Sequence, residues 1–166
     1  TMVREKTKME KMLISGVAAD KNVAKIRVAG LGNDPESTFR LLNLLDRNNL
    51  NIDVMIQSLG KDGTKSVSFT VAKPDMLRTI DVLNDNKDSL GIKKLDYDEN
   101  VAKISVIGAG VRSHSGVAAK MFGALANAGI NTEMITTSEI RITALIDEAY
   151  ADQAMRAIHE TFLERV

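Results

Sequence analysis

Ten residues are written nearly twice in this chain: VAKIRVAGLG at 23–32 and VAKISVIGAG at 101–110, 78 positions apart. A repeat at a fixed offset constrains folding more than composition can. It says that one supersecondary unit occurs twice, so everything between must be read in register with it. Each copy is a β-branched run ending in glycine, the pattern of a strand that delivers the chain into a tight turn.

The first copy unfolds from there. LGNDPEST is a turn-rich loop in which Pro35, after Asn33-Asp34, suits the first turn of a helix. Phe39, Leu41, Leu42, Leu44 and Leu45 then recur at helical spacing through STFRLLNLLDRNNL. NIDVMIQS alternates Ile52, Val54 and Ile56 on one face, as a half-buried strand does. Gly60 and the Asp62-Gly63 pair turn the chain, so SVSFTVA returns antiparallel as a hairpin. Pro74 opens a second helix through PDMLRTIDVLNDNKDSL with Met76, Leu77, Ile80 and Leu83 inward, and GIKKLDYDEN is a short exposed strand. The order is βαββαβ.

The second copy repeats this order. VAKISVIGAG is a strand, VRSHSG a loop, and VAAKMFGALANAG a helix with Val117, Met121 and Leu125 on one stripe. NTEMITTS and EIRITALI are two strands, and YADQAMRAIHETFLERV a helix; NNLNIDVM and NAGINTEM fill the same slot, with Asn51 and Asn131 80 positions apart. The last strand is missing from this copy. Residues 12–20, apolar at Met12, Leu13, Ile14 and Val17, are the unused candidate for it, which makes the first unit an insertion within the second. The charged start, residues 1–11, reads as a solvated lead-in or the end of a linker helix.

Composition limits the function classes. Lys+Arg and Asp+Glu are both 22, so no basic face is available for a phosphate backbone, and nucleic acid is not an expected partner. The absence of cysteine excludes disulfides, thiolate nucleophiles and cysteine-ligated zinc. No apolar run approaches the ~20 residues of a membrane span, and the charged start lacks a signal-peptide core, so no membrane partner is expected and a cytoplasmic setting is. With aromatics at 4% and no Trp, aliphatic residues and eight Met must fill the core.

In combination, ISGVAADKN (14–22), NIDVMIQS (51–58), VAKISVIGAG, SHSGVAA (113–119), TTSEIRI (136–142) and AIHETF (157–162) resemble the tandem ACT regulatory region of aspartate kinases. The resemblance covers about residues 12–165. It implies an α+β fold of two ferredoxin-like βαββαβ ACT domains, each a four-stranded antiparallel sheet with helices on one face. One domain is residues 23–98; the other is 12–22 plus 99–166, with the first inserted into it. It also implies a homodimer through ACT domains, and an upstream kinase domain that phosphorylates aspartate at its β-carboxylate. No phosphate-cradling G-x-x-x-x-G-K-[ST] loop is present, so ATP and Mg belong to that catalytic domain or large subunit, no cofactor is expected in this chain, and the chain is either a truncated piece or a small regulatory subunit.

The implied effector is a free end-product amino acid, threonine or lysine. The loop before a helix start suits its α-carboxylate, because the first N–H groups are unpaired and partly positive. By motif position, one site uses Asn33, Pro35, Thr38 and Gln57, completed by Asn131 and Thr132 of the partner. The other uses Ser113, His114, Gly116 and Val117, facing Asn51 and Ile52. Ser68, Thr137 and Ser138 fall where the family's inhibition is sensitive to substitution. The family's first loop reads D-x-P-G, but here it is Asn33-Asp34-Pro35-Glu36. Asp34 is then the substitute ammonium partner, and Glu36 puts a carboxylate where backbone approaches the ligand. The second loop reads SHSG where the family has SHPG, and Asn131-Thr132 replaces the usual Asn-Ile.

Other residues carry weaker signals. His114 has no nucleophile or orienting carboxylate at an interpretable spacing, so it reads as a loop residue with a structural or ligand-backbone role. His159, beside Met155, Ile158 and Phe162, reads as a packing or boundary residue. Two histidines without cysteine support no metal site. Gly30, Gly32, Gly108 and Gly110 echo a dinucleotide fingerprint but lack its third glycine. Asn51 and Asn131 either begin strands or contact ligand. A dimerisation module with a degenerate ligand site is the alternative function, and catalysis by this chain alone is not expected.

Overall fold

The computed structural model describes residues 16–108, 114–138 and 140–163. The expected lead-in at 1–11, the start of the expected strand at 12–15, and Ser113 lie outside these residues. The chain runs β1 (Gly16–Leu31), α1 (Pro35–Arg47), β2 (Met55–Leu59), β3 (Lys65–Ala72), α2 (Met76–Asp85), α3 (Lys87–Leu90), β4 (Lys94–Ile107), α4 (His114–Asn127), β5 (Met134–Thr137), β6 (Arg141–Asp147) and α5 (Ala151–Leu163), with single 3₁₀ turns at Lys73–Asp75 and Glu148–Tyr150. It is an α+β protein in which β1 with β3, β2 with β3, β4 with β6 and β5 with β6 all pair antiparallel. Two compact units form: Asn22–Glu99, and residues 16–21 with 100–163.

In the unit Asn22–Glu99, strand neighbours run β2-β3-β1-β4. Ile26 pairs with Phe69 and Val28 with Val67, so alternate residues of both strands face one side. There they meet Leu41, Leu44 and Leu45 of α1 and Met76 and Leu83 of α2 in one buried cluster. Each such side chain removed from water contributes about 1.5–3 kcal/mol before entropy is counted. The hairpin after β2 closes as its sequence demands: Gly63 takes φ +80°, and Gly60 N–H donates to Thr64 O at 2.8 Å.

In the second unit, neighbours run β1-β4-β6-β5. Ala102, Ile104 and Val106 of β4 and Ile142, Ala144 and Ile146 of β6 bury against Met121 and Leu125 of α4 and Ala154 and Ile158 of α5. Val17 of β1 packs on this cluster. The helices of the two units end alike. Asn49 (φ 56°) and Gly129 (φ +73°) are both left-handed, and the next residue's N–H returns to the helix, Leu50 to Leu45 O and Ile130 to Leu125 O, each at 2.9 Å. Among the described residues no helix is long and apolar enough to cross a membrane.

Four sequence expectations change. The strands expected at 12–20 and 23–30 are one strand, β1, and those expected at 91–100 and from 101 are one strand, β4. Neither Asp20-Lys21-Asn22 nor Asp98-Glu99-Asn100 contains the Gly or Pro that would end a strand. The single helix expected over 74–90 breaks at Asn86, whose Nδ2 donates to Val82 O at 2.8 Å. Asparagine side chains compete in this way with the helical backbone. Leu77, expected inward, is 68% exposed, and Phe39, which recurs at helical spacing with the leucines of α1, is 64% exposed. The buried stripes are Leu41-Leu44-Leu45 and Met76-Thr79-Leu83, and these two residues lie off them. Finally, Ile56 pairs with Ser68, whereas the core-facing Phe69 and Val67 pair with Met55 and Gln57. Within β2, Ile56 therefore faces away from that unit's core, although Ile52, just before the strand, packs on it.

Gly30 sits at a register break between Val28 and Leu31 with φ +86°, and a Cβ there would lie 2.4 Å from Lys93 Cβ. Gly91 has φ +74° but open space around it. Both alanine substitutions should destabilise in urea unfolding, Gly91→Ala by about 1 kcal/mol and Gly30→Ala by roughly twice that. Equal losses would contradict the close approach at Gly30.

Candidate functional site

The first candidate site forms where β1 ends. Beyond Gly30 the chain runs through exposed Gly32 and Asn33 to Asp34, which is extended (φ −140°, ψ 159°) and caps α1. Asp34 Oδ1 accepts the Ser37 N–H at 2.9 Å, and its Oδ2 accepts the Ser37 hydroxyl at 2.8 Å. A Cβ at residue 32 would lie 2.6 Å from Asp34 Oδ2, so glycine there leaves room for the carboxylate to fold back. The Ser37 hydroxyl first, and then its N–H, hold the Asp34 carboxyl below its ordinary 3.8. Lys65 Nζ donates to the Asp34 carbonyl oxygen at 3.3 Å.

Two readings of this loop change with the geometry. Asp34, the expected substitute partner for an ammonium group, has its carboxylate directed to its own helix start. The Glu36 carboxylate lies along the helix, paired with Arg40 at 2.8 Å. Ser37, only 9% exposed, is the residue the sequence reading missed. The signal for it was a hydroxyl three places after a capping aspartate.

Thr38 and Gln57 come together. The Thr38 hydroxyl donates to Gln57 Oε1 at 2.6 Å, joining α1 to the edge strand β2. Asn33 and Pro35 are exposed beside them in the chain. Ser68 does not join this cluster. It pairs with Arg27 and Ile56, one residue out of phase with Gln57 and Val67, and so lies on the opposite face of the strands. There Arg27 donates to Ser66 Oγ at 3.2 Å and pairs with Asp96 at 3.6 Å.

The remaining candidates fall at equivalent places in each unit. Asn51 is exposed and Ile52 packs on its unit's core, in the segment entering β2, where Asp53 N–H donates to Thr70 O at 3.1 Å. Asn131 is exposed and Thr132 half-buried in the segment entering β5, where Glu133 N–H donates to Leu145 O at 2.8 Å. The His114 backbone opens α4, three residues before the helix expected from 117; its side chain, like Ser113, lies outside the described residues. Gly116 is exposed and Val117 packs on the core of its unit. Ser138 closes the turn into β6, its N–H donating to Arg141 O at 2.7 Å. His159 is exposed, although its neighbour Ile158 is fully buried, so it is not a packing residue.

Register exposes an equivalence that the sequence reading overlooked. Gln57 pairs with Val67, and Val67 with Val28; Thr137 pairs with Ile142, and Ile142 with Val106. Val28 and Val106 are the same position of the repeat. Gln57 and Thr137 therefore occupy one structural position in the two units. Among the described residues, no group of three or more His, Asp or Glu converges to hold a metal ion.

The family model for the ACT domain matches residues 104–162. Curated relatives include the aspartokinase of Pseudomonas aeruginosa, 37% identical over 162 residues, and that of Helicobacter pylori, 40% identical over 156. These matches take in 98% and 93% of this chain but 39% and 38% of the relatives, so the chain spans about two-fifths of their length. Among solved structures, aspartokinase alpha and beta subunits align at TM-score 0.83 and 42% identity, covering 90% of this chain and 98% of that one. The ligand-free regulatory subunit of aspartate kinase from Thermus thermophilus aligns at TM-score 0.84 and 33% identity, covering 90% and 99%.

Asp34→Ala removes the cap and should lower the melting temperature. The folded-state carboxyl is depressed, so its contribution is full above the ordinary 3.8 and is lost as pH falls through the lower folded value. The melting gap between wild type and Asp34→Ala should be widest near neutrality and close in acid. A gap that widens in acid would contradict the assignment.

Proposed function

This chain belongs to the aspartokinase family, as an ACT-domain regulatory region, and from that premise we propose that it binds an end-product amino acid, threonine or lysine, and passes feedback inhibition to an aspartate kinase catalytic domain or subunit. The observation that carries this reading is the polar cluster at the end of β1. Asn33 is exposed beside a helix start, and one turn on Thr38 holds the amide of Gln57 at a strand edge. Amide side chains offer donors and acceptors together, which a zwitterion requires.

In this reading the units are two ferredoxin-like ACT domains with helices on one face of each four-stranded sheet, and Asn22–Glu99 is inserted into the other. The repeated strand order and the packing of Val17 support it. Asn33, Pro35, Thr38 and Gln57 of one chain face Asn131 and Thr132 of a second copy. Ser113, His114, Gly116 and Val117 face Asn51 and Ile52 in the same way. The amino acid is enclosed by two chains of a homodimer, and Ser68, Thr137 and Ser138 report the geometry of that assembly. Coupling of this sort is a difference in affinity between two arrangements, typically ~1–3 kcal/mol. ATP, Mg and the aspartate β-carboxylate are handled by the catalytic partner, in the cytoplasm.

One observation favours a second reading, a dimerisation module with a degenerate ligand site. The Asp34 carboxylate already takes the Ser37 N–H, a donor that a ligand carboxylate would use.

Titration calorimetry with lysine, threonine and both together tests the choice. The first reading expects saturable binding at millimolar concentration or below, weakened by Asn131→Ala at least several-fold. Absence of binding by any of the twenty amino acids leaves only the second. The chain incubated with ATP and aspartate should transfer no phosphate; turnover would overturn both.

A further inference from the structure

The chain contains one Asp-Gly dipeptide, Asp62-Gly63, and no Asn-Gly. This pairing of residues permits a slow covalent change that needs no reagent but water. The Gly63 backbone nitrogen attacks the side-chain carbonyl carbon of a protonated Asp62. The N–Cγ bond forms, the bond from Cγ to the acid's hydroxyl breaks, and that hydroxyl leaves as water with the nitrogen's proton. Water then reopens the five-membered ring. Opening at the main-chain carbonyl routes the backbone through Cβ and Cγ, an isoaspartyl link one atom longer than before. Glycine favours the attack because no Cβ hinders the nitrogen.

The pair is exposed at the tip of the hairpin joining β2 to β3, with open space around Gly63. Three contacts there oppose the reaction. Asp62 Oδ1 accepts the Thr64 N–H at 3.0 Å and the Thr64 hydroxyl at 2.8 Å. Together, the backbone bond first, they hold the Asp62 carboxyl below its ordinary 3.8, and an ionised carboxylate has no hydroxyl to release as water. The Gly63 N–H donates to Gly60 O at 3.1 Å, which engages the proton that the attacking nitrogen must lose. A Cβ at residue 60 would lie 2.9 Å from Asp62 Oδ1, so glycine there leaves the carboxylate room to turn towards Thr64.

We propose that Asp62-Gly63 is a site of spontaneous aspartyl isomerisation in this chain, and that the Thr64 hydroxyl holds its rate down in the folded state by keeping the carboxylate turned away from the Gly63 nitrogen. The location gives the change a consequence. The turn is closed by the Gly60 N–H on Thr64 O at 2.8 Å and by the pairing of Leu59 with Lys65. An extra backbone atom between those closures works against the register of the edge strand β2. Asp88-Ser89 supplies an internal comparison, since it lies in the helical turn α3, where the Asp88 carbonyl accepts the Gly91 N–H at 3.2 Å.

Ageing of the full chain in warm neutral buffer tests this, with isoaspartate in the peptide spanning Asp62 measured by chromatography and fragment mass spectrometry. Folded wild type should isomerise at least about tenfold more slowly than the same chain in urea, because both Asp62 bonds and the Gly63 bond are lost there. Thr64→Val should speed the folded chain about three- to tenfold, as loss of one oriented hydrogen bond does, and Thr64→Ser should stay within about twofold of wild type. In urea the three chains should age alike, and the Asp88-Ser89 peptide should be unaffected by either substitution. Folded wild type ageing as fast as the unfolded chain, an unchanged rate in Thr64→Val, or Thr64→Ser ageing as fast as Thr64→Val would each overturn the inference. So would an equal rise at Asp88-Ser89, which would show Thr64 acting through the stability of the whole unit.

Discussion

Two strands pass without interruption through the boundary between the units, and the rest of the fold depends on that continuity. β1 crosses at Lys21/Asn22 and β4 at Glu99/Asn100. Each strand gives one half to each unit. The second copy of the repeat closes its sheet with a segment from the beginning of the chain, and β4 of that unit has β1 as its neighbour. An unpaired strand there would expose a row of backbone donors and acceptors. The local sequence permits the device: D-K-N-V-A-K-I and D-E-N-V-A-K-I read through both crossings with no helix-starting or turn-forming dipeptide.

Within that frame the two units keep their backbones alike and differ in side chains. Asn49 and Gly129 end the corresponding helices in the same left-handed conformation. Yet the position held in one unit by Arg27 and Ser68, with Arg27 bound to Ser66 and Asp96, is held in the other by Ser105 and Thr143, buried and 2.9 Å apart. Gln57 and Thr137 diverge in the same way. A shared scaffold with diverged contact residues is what allows one repeat to be specialised without refolding the other.

Much of this was legible in the sequence because periodicity reports which side chains leave water. The repeat located the strands and main helices, the Asp62-Gly63 turn located the hairpin, and Met121 and Leu125 located the face of α4. What was not legible depends on competition between local and tertiary forces. Phe39 and Leu77 fit a helical period, but only packing decides which arc of a broad apolar face is covered. The break at Asn86 needs a side chain to choose a backbone carbonyl. Asp34 could be read as a free carboxylate, because its commitment to Ser37 is a matter of distance and not of residue type. The facing of Ile56 escaped because the alternation Ile52-Val54-Ile56 does not show where the strand register begins: Ile52 packs on the core, whereas Ile56 pairs with Ser68 on the other face.

The central claim is that this chain is an amino-acid sensor working through residues at the end of β1 and the edges of β2 and β5. Heteronuclear NMR of the isotope-labelled chain, titrated with threonine and then lysine, tests it residue by residue. The account expects saturable shifts concentrated at Asn33, Thr38, Asn51, Gln57, Asn131 and Thr132, including the side-chain amide of Gln57. Spectra that do not change, or changes confined to the hairpin around Asp62 and the exposed face of α5, would contradict it.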